Sequence, residues 1–455
     1  MHGAHTEVEG GRPVIEVPGD KSISHRALLL SVLADGESRL TGVLTGEDCR
    51  STASVLRDLG ASLPPLPGDG SEFRVQGVGP QGLRSPSREL DCGNSGTTAR
   101  LLLGLLSGLT IEATLTGDAS LRSRPMRRVT EPLSRMGARF QEFGVDGRLP
   151  IGVSGGALRS IVYTNRRSSA QVKGALLLAG VTGGVEIEIS EPAPSRDHTE
   201  RMLRRLGVRV DQERTPDGWK IHLTNPPARL RPLDLHVPGD FSSAAFLIAF
   251  GLLGGAGGPL RIRNVGLNPT RTGLLDVLGD MGAEIEVENL REETDPAGEP
   301  AGDLVVTPSE LRGGSVGGEM IPRLIDEIPV LAVLATRARG TTEIRDAAEL
   351  RVKESDRIRV MADNLGRIGA RVSELPDGLR IEGDLRPLAG RVAAHGDHRV
   401  AMAFGVLGGL AGHRIQVDDP AAAGVSFPGF WDLLAELGRM DGDGGVAGRA
   451  MARTP

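Results

Sequence analysis

The chain reads as an α/β protein of two domains, each holding three copies of one α/β repeat. Three observations predict this. Six segments open on polar or glycine residues, continue rich in leucine and alanine, and end at glycine. Six others close on a leucine phrase ending in glycine, and the words VPGD open two of the first six, at Val17 and Val237. At 455 residues the chain also exceeds one ordinary core.

In chain order, VIEV is an apolar–polar run that Pro18 and Gly19 end. Ile23, Ala27, Leu30 and Ala34 follow at helical spacing, with Ser22 or Ser24 placed to cap the first turn. Lys21 and Arg26 lie where free backbone N–H groups and the helix dipole favour an anion, though taken alone the stretch reads equally as a capped helix with two solvated cations. The second repeat, GNSGTTARLLLGLLSGL, brings Asn94, Gly96, Thr97 and Arg100. This is either an anion nest or a tight turn with an asparagine cap. LRSRPMRR then gathers Arg122, Arg124, Arg127 and Arg128 around Pro125, more than a surface needs. The third repeat offers Ser168, Ser169 and Gln171, then Arg196 in SRDH; its neutral groups suit a polyol or a cap equally.

The fourth repeat, VPGDFSSAAFLIAFGLLGG, sets Phe241 and Ala245 against Lys21 and Arg26 of the first. The scaffold is kept without the charge, so the fold does not demand those cations. The fifth places Asp326 and Glu327 inside an apolar run, which costs free energy unless the acids are paired or used. In LRVKESDRI, helical spacing would set Lys353 and Arg357 one turn apart beside Glu354; a shared anionic ligand would explain both cations, and their acidic neighbours could also neutralise them. The sixth carries His395, Asp397, His398 and Arg399. A metal reading of His-x-Asp-His lacks a cysteine or further histidine at ligand spacing.

The leucine phrases end at Gly60, Gly137, Gly207, Gly282, Gly369 and Gly438, 69 to 87 residues apart. Each is read as the C-terminus of an amphipathic helix. Helices as apolar as the first series are buried ones, and so long a period suits closed three-repeat domains better than a solenoid. The VPGD phrases become crossings between domains: 18–237 is one, 1–17 with 238–455 the other. The tail after about Gly442 is expected to fray.

Charged residues are 25% and hydrophobic ones 39%, a globular balance, and the net charge of -6 gives no reason to expect nucleic acid or an acidic membrane. Cys49 and Cys92 form no ligand spacing or disulfide framework, which suits a reducing compartment. With no signal core or membrane-spanning run, a cytoplasmic protein is expected.

Taken together, PGDKSISHRA, GNSGTTAR, SRP, LRVKESDR and DHRVAMA resemble the 5-enolpyruvylshikimate-3-phosphate synthase family over nearly the whole chain. The resemblance implies a two-domain inverted α/β barrel-like fold of six βαβαββ repeats, with the active site in the interdomain cleft. It also implies transfer of an enolpyruvyl group from phosphoenolpyruvate to the 5-hydroxyl of shikimate 3-phosphate by a monomer without metal or cofactor. Lys21, Gly96, Arg124, Gln171, Arg357 and Arg399 would then hold phosphoenolpyruvate. Lys21, Ser22, Arg26, Ser169, Gln171, Arg196, Asp326 and Lys353 would hold shikimate 3-phosphate. Lys21, Asp326 and Glu354 are the implied proton-transfer groups.

Two departures stand out. Val425 occupies the place where many members carry a lysine before the S/T-F-P motif, and Ala170 follows Ser169 where others have serine. The nearest rival, UDP-N-acetylglucosamine enolpyruvyl transferase, typically has asparagine at Ser22 and a reactive cysteine in the stretch that here reads GDASLRSRP. A non-catalytic phosphosugar-binding protein would suit the arginines but would not need Asp326 and Glu354 beside them.

Overall fold

A computed structural model describes residues 6–291 and 298–439, so the tail after Gly442 lies outside the described residues. By its contacts the chain divides into two compact units, Gly19–Val237 with Glu293–Glu299, and Met1–Pro18, Pro238–Glu292 and Pro300–Pro455. Among the described residues six small open sheets, one per repeat, alternate with helices. Among the described residues no helix is long and apolar enough to cross a membrane.

The N-terminal strands β1 (Glu7–Glu9) and β2 (Arg12–Glu16) form a hairpin that belongs to the second unit. In the first unit the chain runs α1 (Lys21–Leu33), β3 (Asp35–Thr41), α2 (Glu47–Asp58) and β4 (Phe73–Val78). Next come β5 (Leu90–Asp91), α3 (Gly96–Ser107), β6 (Glu112–Thr116), α4 (Arg127–Met136), β7 (Arg139–Glu142) and β8 (Ile151–Ser154). The third repeat is β9 (Ile161–Thr164), α5 (Ala170–Gly183), β10 (Ile187–Glu191), α6 (His198–Arg205), β11 (Arg209–Thr215) and β12 (Gly218–Thr224), and β13 (Asp234–His236) ends the unit.

The second and third repeats are βαβαββ with the same strand order, β5-β6-β8-β7 and β9-β10-β12-β11. In each the first pair is parallel and the rest antiparallel. The first repeat borrows β13 as its leading strand, pairing it parallel with β3. Its sheet has only three strands, because Pro64, Pro65 and Pro67 fall in the stretch between α2 and β4 and have no N–H to give a ladder.

The second unit repeats the plan. α7 (Phe241–Leu252), β14 (Leu260–Gly266), α8 (Gly273–Asp280), β15 (Glu284–Arg291) and β16 (Ala301–Thr307) take β2 as leading strand. β17 (Ser315–Val316), α9 (Ile328–Ala335), β18 (Thr341–Ile344), α10 (Arg357–Arg367), β19 (Arg371–Leu375) and β20 (Gly378–Glu382) form the fifth repeat. The sixth is β21 (Ala389–Val392), α11 (His398–Gly408), β22 (Arg414–Val417) and α12 (Phe430–Arg439), with a two-stranded sheet.

The odd-numbered helices are the six Leu/Ala-rich segments, and they are the cores. Every residue of α7 and of α9 is buried. α3 and α5 approach so closely that a Cβ on Gly104 would lie 2.1 Å from the Ala175 carbonyl oxygen. Only glycine permits that contact.

The leucine-phrase series holds at five places. Gly60, Gly137, Gly207, Gly282 and Gly369 follow their helices at φ of +87° to +118°, where a side chain is strained. Gly438 departs from the series, because α12 runs through it to Arg439. The pair gives a test by chemical denaturation. Gly369→Ala, with φ +93° and open space, should destabilise by about 1–2 kcal/mol. Gly438→Ala, whose Cβ would meet nothing nearer than 3.8 Å, should stabilise by about 0.5–1 kcal/mol.

Candidate functional site

In the first unit, α1 is capped by Asp20, which accepts from the Ile23 N–H at 2.9 Å, and not by Ser22 or Ser24. A capping oxygen must sit one residue before the helix, and α1 already begins at Lys21. Ser24 is buried and accepts from the Leu44 N–H at 2.9 Å. Lys21 opens the helix and pairs with Asp48 Oδ2 at 3.0 Å. Arg26 donates to the Ser22 carbonyl at 2.8 Å and to Thr199 Oγ1 at 2.7 Å. Burial lowers its pKa to about 10, against the pull of Glu200 and Asp20, so the guanidinium stays charged near neutrality.

Ser95, not Asn94, caps α3, accepting from the Thr98 N–H at 3.2 Å. Asn94 instead accepts from Arg124 and donates to Asp118 Oδ2 at 2.6 Å. Of the four clustered arginines Arg124 is buried and Arg128 half-buried. Arg122 and Arg127 are exposed, the first bonded to the Gly117 carbonyl and the second paired with Asp146. The density of charge around Pro125 is therefore mostly surface. Arg100 donates to Gln171 Oε1 at 2.6 Å, and Gln171 Nε2 to Thr97 Oγ1 at 3.1 Å, so the starts of α3 and α5 are joined. A Cβ on Gly96 would lie 2.8 Å from Arg100 Nη1 and 3.3 Å from Arg124 Nη1.

Ser169 caps α5, and Ser168 Oγ donates to the Ala193 carbonyl at 2.6 Å. Two residues missed by sequence reasoning organise this corner. Glu191, at the end of β10, accepts from the Ser195 N–H at 2.8 Å, from Lys173 at 3.0 Å and from Asn165 at 3.1 Å. It thus ties the loop before Ser169 to the loop carrying Arg196. Lys173 is fully buried and also meets Glu200 at 2.7 Å. Burial raises the Glu200 pKa, an effect that Lys173 opposes. A lysine inside the apolar α5 was the available signal.

In the second unit Asp240 caps α7, in the register of Asp20. That register sets Phe241 against Lys21 but Phe246, not Ala245, against Arg26. Ser242, the counterpart of Ser22, donates to Glu327 and accepts from Arg271 at 2.9 Å; Arg271 also reaches Asp240 at 2.8 Å. Glu327 lies 3.7 Å from Arg399, whose guanidinium also donates to the Asp326 carbonyl at 3.1 Å.

Lys353 is not in a helix with Arg357. A 3₁₀ turn over Ala348–Val352 ends before it, and α10 starts at Arg357 with Asp356 as cap. Asp356 competes for the first turn of α10 and so stops the helix from running back to Lys353. Both cations nevertheless reach Asp326 Oδ1, Lys353 at 3.4 Å and Arg357 at 3.3 Å. Arg357, 1% exposed, also meets Glu354 at 2.6 Å and Asp397 at 2.8 Å. Burial works against its charge, but Asp397, Glu354 and Asp326 outweigh burial and hold its pKa above the ordinary value. Asp397 also caps α11 and accepts from Ser355, while His395 is exposed. The carboxylate of the metal reading is thus engaged by an arginine. Val425 is half-buried at the end of a 3₁₀ segment, Pro420–Val425.

The fold is that of an enolpyruvyl transferase from Streptomyces tendae, with a TM-score of 0.72 at 20% identity over 96% of each chain. A structure of EPSP synthase from Acinetobacter baumannii aligns at a TM-score of 0.78 and 40% identity, covering 96% of this chain and 97% of that one. Residues 7–434 match the family described as EPSP synthase (3-phosphoshikimate 1-carboxyvinyltransferase). The 3-phosphoshikimate 1-carboxyvinyltransferase of Gloeobacter violaceus is 52% identical over 93% of this chain and 96% of its own. That of Geobacillus kaustophilus is 46% identical over 95% and 99%. The chain belongs to the EPSP synthase family.

Asp397 is the residue on which the second-unit cluster turns. Asp397→Ala should cost about 1–3 kcal/mol in chemical denaturation, because it takes from a buried guanidinium one of its three carboxylate partners. Asp397→Asn, which keeps hydrogen-bond acceptance, should cost less.

Proposed function

We propose that this chain transfers the enolpyruvyl group of phosphoenolpyruvate to the 5-hydroxyl of shikimate 3-phosphate, releasing phosphate. The observation that carries the mechanism is the set of carboxylates beside cations: Glu354 and Asp326 both contact Arg357. In the addition step the acceptor oxygen bonds to C2 of phosphoenolpyruvate, its proton leaves to a base, and a proton is delivered to C3. In the elimination a proton leaves C3, the C–O bond to phosphate breaks, and the double bond returns. The acid and base exchange roles between steps, and Lys21, Asp326 and Glu354 are the groups assigned to them.

Arg124, Arg357 and Arg399, with Lys21, Gly96 and Gln171, serve phosphoenolpyruvate; arginine suits its carboxylate and phosphate because the guanidinium bonds them bidentately. Lys21, Ser22, Arg26, Ser169, Gln171, Arg196, Asp326 and Lys353 serve shikimate 3-phosphate. Both cysteines are buried free thiols, and burial pushes the Cys92 thiol up, so neither suits nucleophilic work. The free thiols fit a reducing compartment, and the reading proposed is a monomer acting in the cytoplasm.

A phosphate-release assay tests the reading. Phosphate should appear with phosphoenolpyruvate and shikimate 3-phosphate together and not with UDP-N-acetylglucosamine; the reverse would move the chain to the rival activity. Glu354→Gln should keep both Michaelis constants within about threefold while lowering kcat by roughly 10²–10⁴, the worth of a positioned proton-transfer group. Parental turnover at unchanged pH dependence would remove Glu354 from the mechanism.

Glyphosate, which the family resemblance brings in as a longer ligand of the phosphoenolpyruvate site, tests Gly96. A methyl at Gly96 would press first on the guanidinium of Arg100 and then on that of Arg124. Gly96→Ala should therefore raise the glyphosate inhibition constant by a larger factor than the phosphoenolpyruvate Michaelis constant. Equal shifts in the two would show that Gly96 does not border the longer ligand.

A further inference from the structure

Helices α1 and α2 meet in two rungs one helical turn apart. Lys21 pairs with Asp48 at 3.0 Å. Four residues further along each helix, His25 Nδ1 lies 2.7 Å from Thr52 Oγ1. The contacts continue inward: Thr52 Oγ1 lies 2.6 Å from Thr98 Oγ1, which donates to Ser95 Oγ at 2.7 Å. Ser95 is the cap of α3. A file of four buried side chains therefore joins α1 to the turn that opens α3.

The file has a direction, because each hydroxyl carries one proton. Thr98 gives its proton to Ser95 and so accepts from Thr52 at 2.6 Å, the shorter of two contacts open to the Thr52 proton, since the Asp48 carbonyl lies 3.3 Å away; Thr52 in turn accepts from His25. His25 is then the neutral Nδ1–H tautomer, and its Nε2 is a bare lone pair; that atom is buried with no hydrogen-bond partner. The reverse direction would bury an Nε2–H without an acceptor, the rarer kind of orphan. Burial pushes the His25 pKa down to about 3; Asp48 opposes this, and Lys21 and Arg26 add to it.

We propose that His25 is a positioning residue for the phosphoenolpyruvate side of the site. Through Thr52 and Thr98 it holds the turn that carries Gly96, and whose Asn94 holds Arg124, in register with Lys21 one turn above. The inference rests on the reading that Lys21, Gly96 and Arg124 serve phosphoenolpyruvate.

The test uses the full chain and four substitutions. Asparagine bonds its amide nitrogen to Cγ, as histidine bonds Nδ1, so His25→Asn keeps the donor and His25→Leu removes it. Thr52→Val breaks the file at similar shape, and Thr52→Ser keeps it. His25→Leu and Thr52→Val should raise the phosphoenolpyruvate KM by roughly ten- to a hundredfold, the scale of a displaced positioning contact. The shikimate 3-phosphate KM should stay within about twofold, and His25→Asn and Thr52→Ser should resemble the parent. If His25→Leu fails to fold, Thr52→Val carries the comparison. A lower melting temperature with both Michaelis constants unchanged would overturn the proposal, leaving His25 a purely structural residue.

Nitrogen-15 NMR of labelled histidine reads the file without reference to activity. His25 should be the neutral Nδ1–H tautomer and should not titrate between about pH 5 and 8. An Nε2–H tautomer, or titration in that range, would overturn the direction of the file and with it the proposal. Failure of the underlying site reading looks different: Lys21→Met would then leave the phosphoenolpyruvate KM unchanged while the tautomer stayed as described.

Discussion

A cation at the start of a buried helix has to be held by the protein before any ligand arrives, and that constraint orders both units. Leaving such a charge unpaired in an apolar setting is costly, so each cation has a built-in partner. Lys21 has Asp48, and Arg357 has Asp397 with Glu354 and Asp326. Arg100 and Arg124 are oriented by the amide oxygens of Gln171 and Asn94. An amide orients an arginine without adding negative charge, so these bonds aim the guanidinium and leave its attraction for an anion intact. The carboxylates around Arg357 do something else as well, since they are groups that can carry a proton.

The repeat plan shows how a shared scaffold was specialised. The cap aspartates Asp20 and Asp240 open α1 and α7 alike. In α1 the positions that follow carry Lys21 and Arg26; in α7 they carry Phe241 and Phe246, which bury in the core. Ser242 meets an internal carboxylate, Glu327, where Ser22 is expected to meet a ligand. The second copy has thus filled its own helix start. This explains the acid that seemed misplaced within an apolar run.

Much of this was legible in the sequence because it depends on pattern. Six apolar helices and most of their glycine-ended partners follow from periodicity, and the residues expected in the site stand at helix starts or in the loops beside them. The failures share a cause: they depend on a contact with a residue distant in sequence, or on a one-residue shift of a cap. Ser22 and Asn94 looked like caps, but Asp20 and Ser95 sat one residue before the true helix starts. Lys353 and Arg357 looked like one turn of helix, yet they converge through Asp326, which no local spacing announces. Glu191 and Lys173 were overlooked because a hub is defined by what folds around it.

The borrowed leading strands have a consequence for how the protein is made. β2 pairs in parallel with β14, Val14 against Arg261 and Ile15 against Ile262. On the ribosome, at about 5–20 residues per second, the N-terminal hairpin therefore waits roughly ten to fifty seconds for its neighbour. Throughout that wait it is an open edge beside other nascent chains. The residues flanking its buried core, Glu7, Glu9, Arg12 and Glu16, are charged. Glu7 and Glu9 later pair with Arg263 on β14, so the charges that discourage a stranger's strand are the ones that recognise the right one.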